Sequence, residues 1–542
     1  MAKLTVSRRR VLKTMGVAAS GLVVPLAVAA EGRSFRHGVA SGDPLADRVI
    51  LWTRITPKPG ASGPVEVRWQ VSEDQAFKRI VSNGTEVTDA DRDYTVKVDA
   101  SGLEAGGTYF YRFSSGDATS PVGRTRTLPQ DGIRGLKLAV VSCSNYPQGY
   151  FNVYHDIAGR DDIHAVLHLG DYIYEYAQGG YANPHAINFG HHVEPEHEIV
   201  TLDDYRARHA VYRTEAGLQA VHAAHPMIAV WDDHESANDS WRHGAENHDE
   251  TQGSWYDRKR ASVQAYREWL PIRDAEDGDP LRIYRHFDFG GLADLIMLDA
   301  RLIGRSEPLL YGEHLGDPAT DADRFRKELE DPARSILGAE QLAWLDQRLK
   351  ATRTPWQILG QQVLMGKVHL PDLMDIVRFS DDGPFTRPTA ERLLRIAEAG
   401  LPFNLDAWDG YPAARERVFA AARSHDSNLI SLAGDTHNGW AFNLADDAGR
   451  PAGVEFATPS VTSPGMEIVP APPGILAERF VEKNPELVYL DSSRRGWLEL
   501  DVTPEAATGR WHFVTTVLSQ TYQPLRGPAW RVNEGEAKLQ RA

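Results

Sequence analysis

Ala165-Val166-Leu167-His168-Leu169-Gly170-Asp171-Tyr172-Ile173-Tyr174 is an apolar run ending in Gly-Asp, with a tyrosine three residues past the aspartate. Its apolar positions are nearly continuous and rich in Val, Leu and Ile, the pattern of a strand covered on both faces. Asp171 then stands at the carboxyl end of that strand, the edge where open α/β sheets bind ligands. An aspartate there can bridge two cations through its two oxygens, and a phenolate three residues on can close over one of them. Gly-Asp alone reads as a plain turn. Repetition changes the reading, because three other apolar runs end in Ser142-Cys143-Ser144-Asn145, Trp231-Asp232-Asp233-His234-Glu235 and Gly434-Asp435-Thr436-His437. Strands of one sheet place their ends on one rim, so four such ends can converge.

Outward from these ends the chain alternates strands and helices. Leu136 to Val141, Met227 to Trp231, Leu292 to Leu298, Trp356 to Val363 and Leu429 to Ala433 read as strands; Leu202 to Tyr212, Ser254 to Trp269, Glu340 to Lys350 and Ala413 to Arg423 have helical spacing. Short connections favour a mixed sheet over a purely parallel one. From Phe35 to Leu128 the pattern is instead short alternating strands with turn residues between them, as at Val65, Val67, Trp69 and Val71. That spacing predicts a small antiparallel sandwich, and Leu103-Glu104-Ala105-Gly106-Gly107-Thr108-Tyr109 resembles the tyrosine corner of fibronectin type III domains. The expected division is an export signal over 1–30, an immunoglobulin- or fibronectin III-like β-sandwich over 31–130, an α/β catalytic domain over 131–518 and a C-terminal tail over 519–542.

The first thirty residues read as an address. Ser7-Arg8-Arg9-Arg10-Val11-Leu12-Lys13 precedes an Ala/Gly/Val-rich run ending in Ala27-Val28-Ala29-Ala30, which resembles a twin-arginine signal with small residues suited to cleavage. The run is short for a bilayer span, which takes about 20 apolar residues. The expected location is periplasmic or secreted, through the twin-arginine machinery. The formal net charge is −16; five basic side chains and no acidic one lie in the first thirty residues, leaving −21 for the rest. That balance argues against a nucleic-acid-binding surface and for a cation-binding protein. Cys143 is the only cysteine, so no internal disulfide forms.

The residue types at the four ends suit metals. Thiolate, phenolate and imidazole together fit a trivalent iron or another transition metal, whereas carboxylates and an amide oxygen fit a harder divalent ion. A metal pair lowers the pKa of a water and neutralises a phosphate, and His234 is placed to donate to the leaving group. The whole pattern resembles the PhoD-type alkaline phosphatases/phosphodiesterases, a branch of the calcineurin-like metallophosphoesterases related to purple acid phosphatases. The resemblance runs from Phe35-Arg36-His37-Gly38-Val39-Ala40-Ser41-Gly42-Asp43-Pro44 through the β module and the four strand ends, and includes Leu298-Asp299-Ala300-Arg301. The superfamily's Asn-His-Glu stands here as Asp233-His234-Glu235, and its Gly-His-x-His as Gly434-Asp435-Thr436-His437.

The resemblance implies a metallophosphoesterase sandwich of mixed sheets flanked by helices. It implies Fe³⁺ on Cys143, Asp171, Tyr174 and His437, and Ca²⁺ on Asp171, Asp435 and Asp233 or nearby Asn238, with Asp232 as an alternative. His234 and Arg301 are the candidate catalytic residues, Arg301 as a phosphate clamp or equally a structural ion pair. The expected substrates are small phosphate esters, hydrolysed by metal-activated hydroxide. A phospholipase D-type action on lipid head groups, or a non-catalytic binder with a vestigial metal site, are the alternatives. The histidines 185, 191, 192 and 197 fall in an irregular loop and read as a lid.

Overall fold

The computed structural model describes residues 34–542 except 59, 61 and 382–384; the expected export signal lies outside them. Two mixed sheets face each other. The larger has ten strands among the described residues, in the order Gln540–Arg541, Pro524–Asn533, Ala506–Val514, Gly496–Val502, Leu136–Val141, Ala165–His168, Pro226–Ala229, Val39–Gly42, Arg48–Arg54 and Thr95–Ser101. The seven-stranded sheet runs Arg285–Phe289, Ala293–Met297, Trp356–Gly360, Leu429–Ala433, Pro451–Ala457, Gly439–Ala445 and Leu487–Asp491.

Side-chain alternation explains why the central runs are apolar throughout. In the smaller sheet Leu295, Ile358 and Ile430 face the larger sheet and share a core with Val140, Leu167 and Ile228. Their neighbours Ile296 and Leu359 point the other way, into a second core with Leu345, Val418 and Phe480 of three helices. The helices Asn152–Ala158, Leu202–Tyr212, Ala216–Ala224 and Trp255–Trp269 complete the first core. Three central strands of the larger sheet are parallel, with His168 level with both Val141 and Ala229. In the smaller sheet Met297, Gly360 and Leu432 are likewise level. Parallel register thus delivers the predicted ends to one rim, and a parallel bridge between Ser142 and Ser460 joins the sheets there.

The N-terminal β module differs from a free-standing sandwich. One layer is a five-stranded sheet that includes Val65–Ser72, Ile80–Thr88 and Thr108–Ser115. The other layer is Val39–Gly42, Arg48–Arg54 and Thr95–Ser101, which belong to the ten-stranded sheet. Ser41 and Gly42 pair in parallel with Pro226 and Met227. Val49, Leu51, Val67, Val98, Tyr111 and Phe113 form the core between the layers. The tyrosine corner is present locally: the Glu104 backbone N–H donates to the Tyr109 hydroxyl at 2.8 Å. At the other end of the chain, Pro524–Asn533 pairs with Ala506–Val514, so the segment read as a tail is a strand. Only Ala529 and Val532 on it are buried, which removes the apolar alternation that reveals a strand. Among the described residues no helix is long and apolar enough to cross a membrane.

One half-buried ion pair ties the Gly496–Val502/Ala506–Val514 hairpin to the body. Glu499, 8% exposed, accepts from Arg160 Nη2 at 2.6 Å, with His512 Nε2 3.5 Å away. Burial pushes its carboxyl up, but the nearby His512 ring and the bond from Arg160 outweigh that and bring it down to about 2 from 4.5. A depressed carboxyl contributes stability above its unfolded pKa and loses it as pH falls through the folded one. Glu499→Gln is therefore expected to lower the unfolding free energy by about 2 kcal/mol at neutral pH, a gap that closes on acidification; urea denaturation across that range measures it.

Candidate metal centre and active site

The chain leaves its strand ends through left-handed turns. φ is 62° at Cys143, 55° at Asp171, 58° at Asp435 and 65° at His437. A non-glycine residue held there costs about 1–2 kcal/mol, and such residues gather at functional sites. At Gly170, φ is 102° and an added Cβ would lie 2.3 Å from the Asp232 Cβ. Only glycine lets these two ends approach so closely. Glu235 then fastens them, its carboxylate accepting the backbone N–H groups of Asp171 at 3.1 Å, Tyr172 at 2.6 Å and Asp232 at 2.8 Å. Gln362 does the same across the sheets, donating to the carbonyls of Trp231 and Leu298 and accepting from the Ala300 N–H.

On this scaffold the predicted ligands meet. Atoms of Cys143, Asp171 and His437 lie within 4.8 Å of one another, as do those of Asp171, Asp233 and His234, and those of Asp232, Asp233 and Asp435. The Tyr174 hydroxyl is 3.0 Å from Asp171 Oδ2 and 3.4 Å from His437 Nε2, and accepts from Ser463 at 2.6 Å. His437 Nδ1 bonds the Pro464 carbonyl at 2.8 Å, which turns Nε2 toward the cluster. Asn238 sits at the margin: its amide oxygen accepts from Tyr176 at 3.1 Å and its amide nitrogen donates to Glu246 at 2.9 Å. The loop histidines do not gather; His191 stacks on Tyr146 and bonds its carbonyl, while His197 pairs with Asp204.

The cluster carries more acid than its surroundings can neutralise. Burial, then the neighbouring carboxylates, push Asp171 far above the usual carboxylate range. Burial does the same to Asp232 and outweighs the Arg301 charge beside it. The Cys143 thiol and Tyr174 phenol are driven up by burial and by Asp171, while burial holds His437 well below its ordinary pKa. Oδ1 of Asp171 and Oδ2 of Asp232 are buried with no hydrogen-bond partner. Arg301, fully buried, is the cation among these acids. Its Nε donates to Asp232, Nη1 to Asp406 at 2.8 Å and Nη2 to Asp435 at 3.4 Å. One guanidinium does not balance Asp171, Asp232, Asp233 and Asp435, and buried charge without a counter-charge is costly. Orphaned carboxylate oxygens beside a thiol, a phenol and an imidazole fit bound metal cations.

His234 stands over the cluster with its ring 4.3 Å from that of Tyr174. Its Nδ1 bonds Glu175 at 2.7 Å, leaving Nε2 as the other ring nitrogen available to a ligand. Glu175 is fully buried and also accepts the Asn238 N–H and the Asn247 amide, each at 2.9 Å. Burial pushes its carboxyl up, but His234 and these donors hold it below its ordinary value. Sequence reasoning missed Glu175, Asp406 and Ser463, and gave Glu235 no role beyond its place in the Asp-His-Glu motif. Glu175 had a signal, since it directly follows the predicted ligand Tyr174. Asp406 and Ser463 had none, because only the tertiary fold brings them in.

Two family models match this arrangement: one described as PhoD-like phosphatase over residues 138–511, and one described as PhoD-like phosphatase, N-terminal domain, over 20–129. Alkaline phosphatase D of Bacillus subtilis (strain 168) is 35% identical over 484 residues, 87% of this chain and 76% of that protein. A solved structure of PhoD is 32% identical, with a TM-score of 0.78 over 95% of this chain and 93% of its own. Matched through both the β module and the α/β region that carries the rim, the chain belongs to the PhoD-like phosphatase family and so to the phosphoric ester hydrolases.

Proposed function

We propose that the protein is an exported, metal-dependent alkaline phosphatase/phosphodiesterase with an Fe³⁺/Ca²⁺ centre, acting on phosphate esters in the periplasm or outside the cell. The observation that carries this reading is the meeting of Cys143, Asp171, Tyr174 and His437 from three chain segments. In this proposal those four residues hold iron. Asp171, Asp232, Asp233 and Asp435 hold calcium, with Asn238 at the edge of the set. The bound cations would supply a water of lowered pKa and neutralise the phosphate. His234 donates a proton to the leaving oxygen through Nε2, and Glu175 fixes its tautomer. Arg301 acts as a positioning residue rather than a phosphate clamp, because its nitrogens are already committed to carboxylates. Export through the twin-arginine pathway accords with the signal-like first thirty residues.

Glu175→Gln is expected to lower kcat by about 10- to 100-fold with metal content unchanged. Equal kcat, or loss of metal, would count against a purely orienting role. The overall reading is tested on purified protein by elemental analysis, visible absorbance and hydrolysis of 4-nitrophenyl phosphate and its bis ester. The expected protein is violet to brown from tyrosinate-to-iron charge transfer and loses activity on calcium chelation. A colourless protein inactive at every pH overturns the proposal.

A further inference from the structure

In a chain of net charge −16, cations crowd an open cleft of about 1030 Å³ between the β module and the helix Trp255–Trp269. Arg92 and Lys97 line it from the module, and Lys259, Arg260 and Arg267 line it from the helix. Arg242 joins them from the loop that runs on from Asn238 at the margin of the metal centre. Glu268 and Asp274 are the acids on the wall. None of the lining residues is a candidate metal ligand.

The acids nearby are already engaged. Asp274 accepts from Lys97 at 2.7 Å and from Arg267 at 3.5 Å, Arg206 holds Glu268 at 2.7 Å, and Arg260 pairs with Asp257 at 2.5 Å. Lys259 is 6% exposed, and its Nζ donates to the carbonyls of Arg242 at 2.8 Å and Leu302 at 3.3 Å. Among the described residues no carboxylate lies within 4 Å of Lys259, Arg92 or Arg242, unlike the other three cations. Burial accordingly holds Lys97, Lys259 and Arg267 below their ordinary pKa values. Carbonyl dipoles do not cancel a whole charge, and a buried cation without its counter-charge is costly. An anion in the cleft offsets that cost. Arg92 and Arg242 both have exposed side chains, and a guanidinium presents paired N–H donors that match a tetrahedral oxyanion.

We propose that this cleft is a second phosphate-binding site, separate from the metal centre, and that the bound anion clips the β module to the helix Trp255–Trp269. Inorganic phosphate is the ion a phosphatase releases, so the ligand is present wherever the enzyme works. The test is calorimetry of inorganic phosphate on the metal-loaded protein, at a constant salt concentration that screens exposed charges. Two sites per chain are expected. One is the metal centre, and its Kd equals the competitive inhibition constant of phosphate against 4-nitrophenyl phosphate. Arg92→Gln combined with Arg242→Gln is expected to weaken the other site by about tenfold or more and to leave that inhibition constant and kcat unchanged. Both positions are exposed, so the double variant should fold as the wild type does. A single site whose Kd matches the inhibition constant overturns the proposal, as does a double variant that binds phosphate like wild type. Loss of the inhibition together with the cleft site would mean one shared site and overturns it too. Phosphate bound in the cleft of a protein that hydrolyses no ester would uphold this site and remove the hydrolase reading alone.

Discussion

Asp171→Asn is expected to abolish hydrolysis, with turnover falling by about a thousandfold or more and bound metal lost with it. Asp171 is shared by two of the three ligand groupings, so no neighbour can replace it. The same substitution has the opposite effect on the metal-free fold. Burial and the surrounding acids raise the Asp171 pKa, so the folded chain must hold either a proton or an unwelcome charge there. A raised carboxyl pKa contributes stability at low pH that is lost as pH rises. An amide removes that loss, and the chelated Asp171→Asn protein should unfold at a higher temperature than chelated wild type, increasingly so toward alkaline pH. Paired activity and melting measurements, with and without chelator, decide it. Retained turnover, or no gain in the chelated state, would show that Asp171 is not the hub of the centre.

Arg301→Met should lower the unfolding free energy by about 3–5 kcal/mol, because removing one partner of a buried ionic web strands the others. Arg301 is fully buried, and Asp232, Asp406 and Asp435 all lean on it. Asp406 keeps Arg305, whereas Asp232 keeps no other cation within 4 Å among the described residues. The loss is expected to be largest in chelator-treated protein, where no metal shares the acidic load. Urea denaturation tests this, and a change under about 1 kcal/mol would mean the carboxylates are protonated or otherwise compensated. The contrast with Glu175 is useful, since that residue should alter turnover far more than stability.

Much of this centre was legible in the sequence because its parts are local. A candidate ligand within a few residues of the end of a short apolar run can be read without knowing the fold, and Cys143, Asp171, Asp233, Asp435 and His437 all have that form. Strand and helix limits such as Leu136–Val141, Leu202–Tyr212 and Leu429–Ala433 were equally plain, since both faces of each strand or one stripe of the helix is covered. What stayed hidden depends on partners distant in sequence. The commitment of Arg301 to three acids is one example, and the joining of Val39–Gly42 to Pro226–Ala229 is another. The strand Pro524–Asn533 escaped because its outward face is wet and its alternation weak.

The ten-stranded sheet takes strands from both extremes of the polypeptide, Val39–Gly42 near the start and Pro524–Asn533 near the end. A nascent chain cannot complete it until Pro524–Asn533 has been made, so the order of synthesis imposes a late assembly dominated by distant pairings. Fragments cut at the apparent 130/131 boundary would leave raw sheet edges on both halves, open to self-association.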